Sequence, residues 1–421
     1  MRYHRHVMAI TAAMAMASPA LAIERFEPDP APEALAPMAK SLSAVQPVRL
    51  IQGSKNGLSW QAASRIIGQT PTSDVLAPGN TIGGGNPIYF PTAQKSGTVA
   101  LIMETPQGAF ICSGSLLNNG RSIATAAHCV TGNDGKLNAT RTTAYFFDGD
   151  PNQRTVRAGA VTMEVAAYDI HPDYTGEVID QNDIAVLRLK GTGAPEWAQR
   201  YDLYTDPNLR GREFNVAGYG TRSTVGGAAG NTAPAGARTG FLREGDNIFD
   251  YRLGDSVFQG FFDGFNYAGG TENFFGTAQI SFSYISDFDN GTFAQDQSRR
   301  VANGLGLGAL GNTFFNNQGL GAREVGIAGG DSGGPGFIDG RLASINSFGL
   351  SFGTNFGDFD GIFNAGWGEL NGYVPVYIHE DFIKGAMATA VPEPMSWAML
   401  VAGFGLSGAM MRRRRQTVVA A

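Results

Sequence analysis

Charge is scarce in this chain of 421 residues: Asp, Glu, Lys and Arg together make up 16%, against about a quarter in ordinary soluble domains. The balance is also acidic. Arg2, Arg5 and Arg412 to Arg415 lie in terminal segments that read as sorting signals. Without them 25 basic residues face 37 acidic ones, a net charge of −12. Such a body has little with which to neutralise phosphates, which argues against a nucleic-acid partner. Cysteine occurs twice, at Cys112 and Cys129, so one disulfide is the most the chain can form. Histidine occurs five times, and only His128, His171 and His379 lie beyond residue 22. No self-similar period of 20–50 residues is present, so nothing points to a repeat architecture. Outside residues 395–411 no apolar run is long enough to cross a bilayer, and a multi-span membrane protein is excluded.

Glycine, by contrast, is abundant: 58 of 421 residues, about 14% where roughly 7% is usual. With many Phe and Thr this favours turns and strands over long helices, and 43% apolar residues suffice for a large core. One stretch organises the rest, Gly329-Gly330-Asp331-Ser332-Gly333-Gly334-Pro335. Glycine loses the most backbone entropy on ordering, so four around one serine imply a tight turn with unhindered N–H groups. An acyl-transfer site needs both the exposed hydroxyl and N–H donors aimed at a developing oxyanion. Upstream lie Thr125-Ala126-Ala127-His128-Cys129 and Asp183-Ile184-Ala185-Val186-Leu187, giving the order His, Asp, Ser.

These three motifs, in this order, resemble the trypsin/chymotrypsin family of serine peptidases. The resemblance implies an all-β fold of two antiparallel six-stranded barrels with a short C-terminal helix at Val376–Ile383. A large insertion, about residues 221–325, falls in the second barrel. It also implies roles. Ser332 Oγ attacks a peptide carbonyl, His128 serves as base and then acid, and Asp183 orients the imidazole. The N–H groups of Gly330 and Ser332 form the oxyanion hole. Cys112 and Cys129 match the family's pair that braces the histidine, with Ser113 standing where the family has glycine. Arg341–Gly349 resembles the substrate-binding edge: Ser347 bonds the triad aspartate, Phe348 walls the S1 pocket, and Gly349 follows. Gly326 and Ile327 lie at the pocket base. Trypsin proper has an aspartate there, and its absence predicts a small or apolar P1 residue rather than Arg or Lys. The partners implied are protein or peptide substrates, with no cofactor and no metal.

Several segments take their place around this core. Thr98–Met103 and Phe110–Leu117 read as strands about a turn at Gln107-Gly108, and Phe214–Gly220 opens the second barrel. Ala278–Tyr284 also alternates like a strand. His171, in Tyr168–Tyr174, reads as a loop residue, and His379 as a surface residue of the closing helix. Asp287-Phe288-Asp289-Asn290-Gly291 is near a calcium loop, but its Gly falls one place early and the closing Glu is missing, so it reads as a polar turn.

The ends carry signals of their own. Residues 1–22 read as a secretory signal with an Ala20-Leu21-Ala22 cleavage site, and 23–65 as a Pro- and Ala-rich pro-segment or flexible lead-in. Arg65-Ile66-Ile67-Gly68 resembles the family's activation junction, where the freed amine of Ile66 would pair with Asp331. The peptidase domain would then run over 66–386. Ile82-Gly83-Gly84 has the closer spacing but no preceding basic residue, and both starts stay open. In 387–421, Val391-Pro392-Glu393-Pro394, an apolar run over 395–411 and Arg412 to Arg415 resemble a PEP-CTERM sorting tail. That implies export, transient membrane anchoring, and removal of the tail by an exosortase-type enzyme at the cell surface or matrix. The competing reading is a catalytically silent trypsin-like surface or matrix binding protein.

Overall fold

The computed structural model describes residues 49–63, 67–68, 86–232, 235–307, 317–388 and 404. The signal over 1–22, Ile66, Ile82–Gly84, the tail motifs Val391-Pro392-Glu393-Pro394 and Arg412 to Arg415, and the run over 395–411 apart from Phe404 lie outside them. Among the described residues no helix is long and apolar enough to cross a membrane.

The described chain begins with a hairpin where a flexible lead-in was expected. Strands β1 (Leu50–Lys55) and β2 (Leu58–Ala63) pair antiparallel, Lys55 opposite Leu58. Between them Asn56 and Gly57 both have positive φ, 51° and 81°. That is the backbone a two-residue hairpin turn with the sheet's own twist requires, and Asn-Gly supplies it cheaply. A two-residue strand, β3 (Ile67–Gly68), follows and pairs parallel with a later strand.

Six strands then close into an antiparallel barrel: β4 (Thr98–Thr105), β5 (Gly108–Leu116), β6 (Ser122–Thr125), β7 (Arg141–Phe146), β8 (Thr162–Ile170) and β9 (Ala185–Leu189), in the order β4-β5-β6-β9-β8-β7. Their apolar side chains, among them Leu101, Leu116, Ile123, Val186 and Leu187, are fully buried, each contributing about 1.5–3 kcal/mol. Gly114 keeps that interior packed: a Cβ there would sit 2.6 Å from Ile123 Cγ2.

The second lobe is built from β10 (Glu213–Gly218), β11 (Thr221–Ser223), β12 (Gly236–Ala237), β13 (Arg243–Ile248), β14 (Tyr251–Arg252), β15 (Tyr284–Phe288), β16 (Pro335–Ile338), β17 (Arg341–Ser351) and β18 (Glu369–Pro375). Its main sheet runs β13-β10-β16-β17-β18-β15-β14, with β2 on β17 and β1 outside β2. This is a half-barrel, trypsin-like in kind but open where a closed six-stranded barrel was expected. Between β14 and β15 the chain leaves the sheet and runs through turns. Ala278–Ser283 belongs to that irregular stretch, so the strand expected there starts only at Tyr284.

The insertion has a core of its own. Phe258, Phe262, Phe274 and Phe275 are buried with Trp60 and Leu58 of β2 and Phe348 of β17, and Trp60 meets Phe275 edge to face at 5.0 Å. Helix α1 (Gln297–Gly304) starts at Asp296, whose carboxylate accepts from Arg299 N. Helix α2 (Glu380–Ala388) ends the domain after a 3-10 turn over Val376–His379.

Candidate active site

The first lobe supplies two of the expected residues from neighbouring strands, one just after β6 and one just before β9, at the same barrel end. β6 ends at Thr125, and a 3-10 turn over Ala127–Cys129 turns His128 back towards the strand. Asp183 sits two residues before β9, in a loop that Asp180 holds by accepting from Thr175 N and Asn182 N. Asp183 is 1% exposed, and a carboxylate so buried must be paired. It accepts from His128 N at 2.8 Å, from His128 Nδ1 at 2.7 Å, and from Ser347 Oγ at 2.6 Å. With Nδ1 engaged, Nε2 is the nitrogen left for a hydroxyl, and it is buried with no partner among the described residues. His128 and Ser332 line the same cleft, together with Ile111, Cys112, Tyr174 and Gly330.

The serine comes from the turn before β16. Gly330 has φ +108° and Gly333 +78°, a region where a Cβ is strained. A side chain at Gly333 would also collide with Thr125 Oγ1 and the Ser113 carbonyl. Gly329 O accepts from Thr221 N at 2.9 Å. Because a trans peptide puts its N–H opposite its C=O, this turns Gly330 N–H away from β11. Ser332 O accepts from Ser113 N at 2.8 Å, tying the turn to β5.

Ser113 proves to be a brace. Its hydroxyl donates to Gly330 O at 2.9 Å and accepts from Tyr219 N at 3.0 Å, joining the candidate oxyanion loop to the strand end beside it. The sequence marked Ser113 only as a departure from glycine, and nothing in its neighbours signals this bond. The disulfide does form: Cys112 and Cys129 are bonded at 2.06 Å, linking β5 to the turn that carries His128.

Asp331 is partly buried, and its Oδ1 accepts from Gly220 N at 2.6 Å. Burial raises its carboxyl to about 7, partly offset by that bond. A cavity opens beside it, lined by Tyr89, Gly220, Phe241, Glu244 and Gly326. Its expected partner Ile66 lies outside the described residues.

The pocket residues are more scattered. Ile327 N donates to Asn371 Oδ1 at 2.7 Å, and Ile327 is buried. The Phe348 ring is fully buried in the insertion core rather than on an open pocket wall, and leaves no room for a Cβ at Gly372. Gly349 is paired with Ala63 of β2. Of the other histidines, His171 does lie in a loop. His379 is not on the surface: it is 3% exposed, because its Nε2 bonds Gln181 O at 2.8 Å and its ring meets His171 edge to face at 4.6 Å. Burial lowers its pKa to about 4, so it stays neutral behind the loop that positions Asp183.

An all-β architecture with a closed barrel, a half-barrel and a C-terminal helix defines a trypsin-like fold. Residues 90–234 match the family model described as Trypsin. Over 121 residues the chain is 31% identical to "Trypsin alpha-4" of Lucilia cuprina, covering 28% of this chain and 43% of that one. Over 86 residues it is 33% identical to "Inactive serine protease PAMR1" of Homo sapiens, covering 19% of this chain and 11% of that one. The chain therefore spans less than half the length of these relatives, and the family match stops before Ser332.

Proposed function

We propose that this protein is a serine endopeptidase that hydrolyses peptide bonds through an acyl-enzyme. One observation carries the reading: His128 is held by Asp183 through Nδ1 in a cleft that Ser332 also lines. Ser332 Oγ adds to the scissile carbonyl as His128 Nε2 takes its proton. The same proton passes to the leaving amine, and water then releases the acyl group by the reverse roles. Gly330 N and Ser332 N stabilise the oxyanion. Gly326, Ile327 and Asn371 bring no carboxylate to the pocket base, which supports small or apolar P1 residues over Arg and Lys.

The terminal motifs support a location outside the cytoplasm. The secretion machinery would deliver it, the 395–411 segment would anchor it transiently, and an exosortase-type enzyme would cut near Pro392-Glu393-Pro394. The second reading, a silent homologue, is favoured by the resemblance to a relative named as inactive.

A fluorophosphonate probe applied to wild type and Ser332→Ala decides between the two. Labelling of wild type alone supports the peptidase. No labelling of matured protein supports the scaffold. Mass spectrometry of both mature termini tests the starts at Ile66 or Ile82 and loss of the tail, and a P1-varied peptide panel with strong Arg/Lys preference would overturn the pocket reading.

A further inference from the structure

β17 offers one edge to two partners. β16 pairs with its first part, Arg341–Ile345, and β2 with its last part, Gly349–Ser351; Asn346–Phe348 lie between. In the peptidase reading, on which this inference rests, the edge just past Ser347 receives an extended substrate by strand addition. Each backbone N–H and C=O of an edge strand serves one partner. At Gly349, Leu350 and Ser351 the partners are Ala63, Ala62 and Gln61. β2 is antiparallel to β17, and its C-terminal end points along the edge towards Ser347, the residue bonded to Asp183.

The hairpin is well anchored there. Leu58 and Trp60 are buried with Phe274 and Phe275 of the insertion and with Val178 and Ile179 of the loop before Asp183. At the turn end, Lys55 Nζ bonds Asn273 O at 2.8 Å and Glu272 at 3.1 Å. At the other end Arg49, immediately before β1, lines the catalytic cleft with His128 and Ser332, and its Nη1 is buried without a hydrogen-bond partner among the described residues.

We propose that the Leu50–Ala63 hairpin is an autoinhibitory strand: β2 holds the sheet edge that an extended peptide substrate must pair with, and turnover of such substrates requires its displacement. The occupant is a segment of this chain, tethered at an effective concentration of order millimolar. It excludes extended peptides from the edge while leaving Ser332 open to a small electrophile.

The test compares two readouts on the full chain, turnover of a fluorogenic tetrapeptide with a small apolar P1 residue and the rate of fluorophosphonate labelling. Trp60→Ala removes the anchor of β2; Lys55→Ala, at the edge of the hairpin turn, loosens it without touching the core and serves if the first variant fails to fold. Unseating a tethered competitor is expected to raise tetrapeptide kcat/KM about tenfold for Trp60→Ala and a few-fold for Lys55→Ala, with labelling unchanged. Tetrapeptide turnover that stays at the wild-type level in folded variants that label overturns the proposal. So does turnover that rises only in step with labelling, since the nucleophile rather than the edge would then have changed. No labelling in wild type or variants is the separate failure of the peptidase reading, and the inference falls with it.

Discussion

Ser347 Oγ donates to Asp183 Oδ2 at 2.6 Å, across 164 residues of sequence and from one lobe to the other. The bulge that breaks the β17–β18 register between Asn346 and Phe348 lies at this serine. Asp183 is thus oriented from both lobes, and the histidine inherits that orientation. A hydrogen bond to a charged group contributes about 1.5–3 kcal/mol, and each 1.4 kcal/mol is about tenfold in rate. Ser347→Ala is therefore expected to lower kcat about 10- to 100-fold with little change in KM, as steady-state kinetics with a peptide substrate would show. An unchanged kcat would mean that the two bonds from His128 suffice.

The Cys112–Cys129 disulfide closes a short loop around the candidate base. Cross-linking a loop of about 15 residues contributes roughly 3 kcal/mol, and for a domain this large each kcal/mol moves Tm by about 2–4 °C. A Cys112→Ala, Cys129→Ala double variant should melt roughly 6–12 °C below wild type by calorimetry. It should also lose activity at temperatures where most of the protein is still folded, because His128 sits in the turn that the bridge holds.

Five buried carboxylates give stability an unusual pH dependence. Asp250 accepts from Ser298 Oγ at 2.5 Å and Asp287 N at 2.9 Å, while Glu324 accepts from Asp289 N at 2.8 Å. Burial raises Asp250 and Asp289 to about 6, Asp296 to about 7 and Glu324 to about 8, and pushes Asp287 up as well. These groups bind protons more tightly folded than unfolded, so stability falls as pH rises from about 4 through these values. Urea midpoints should be higher at pH 5 than at pH 8.5, and Asp296→Asn should flatten the difference. A midpoint that rises with pH would contradict this.

Ser113 ties Gly330 O and Tyr219 N together. Ser113→Gly, which restores the residue type of the resemblance, removes both bonds and leaves the loop that presents Gly330 N less constrained. An oxyanion donor is worth about 3 kcal/mol when lost outright, and a loosened one less. The expected result is a fall in kcat of about tenfold with KM held, and thermal stability lowered by the two buried bonds. Equal kcat in the variant would show that the remaining bonds from Thr221 N, Gly220 N and the backbone N of residue 113 suffice to orient the loop.

What could be read from residues alone was set by chemistry. His128, Asp183 and Ser332 stood out as candidates because each sits in a short motif whose residue types the proposed chemistry demands, and the cysteines because only one pairing exists. The strands expected over Thr98–Met103 and Phe110–Leu117 followed from alternation about a Gly turn, and the structure extends them to meet that turn at Thr105 and Gly108. The hairpin carried a clear signal as well, Asn56-Gly57 between alternating residues, but the proline-rich stretch before it masked a strand pair. His379 reads as a surface residue of the closing helix, whereas its burial depends on Gln181, 198 residues away. The strand expected at Ala278–Tyr284 shows the same limit. Its alternation serves a face of the aromatic core rather than a sheet partner, and periodicity cannot tell the two apart.

The seat of Trp60 has a consequence for how the chain folds. Lys55 and its partner Glu272 are 217 residues apart, and the ring pocket of Trp60 is made of side chains from the same distant region. Contacts this remote must bear the loop-closure entropy of everything between them, and they form late. A chain made from its N-terminus therefore carries the hairpin, with its tryptophan uncovered, through the whole period in which the first barrel assembles. The edge of β17 is accordingly unfilled from the moment the second lobe forms until the hairpin returns to it. In that interval the strand of a neighbouring copy fits the edge as well as its own, so refolding yield is expected to fall with protein concentration more steeply than it does for a chain lacking Trp60.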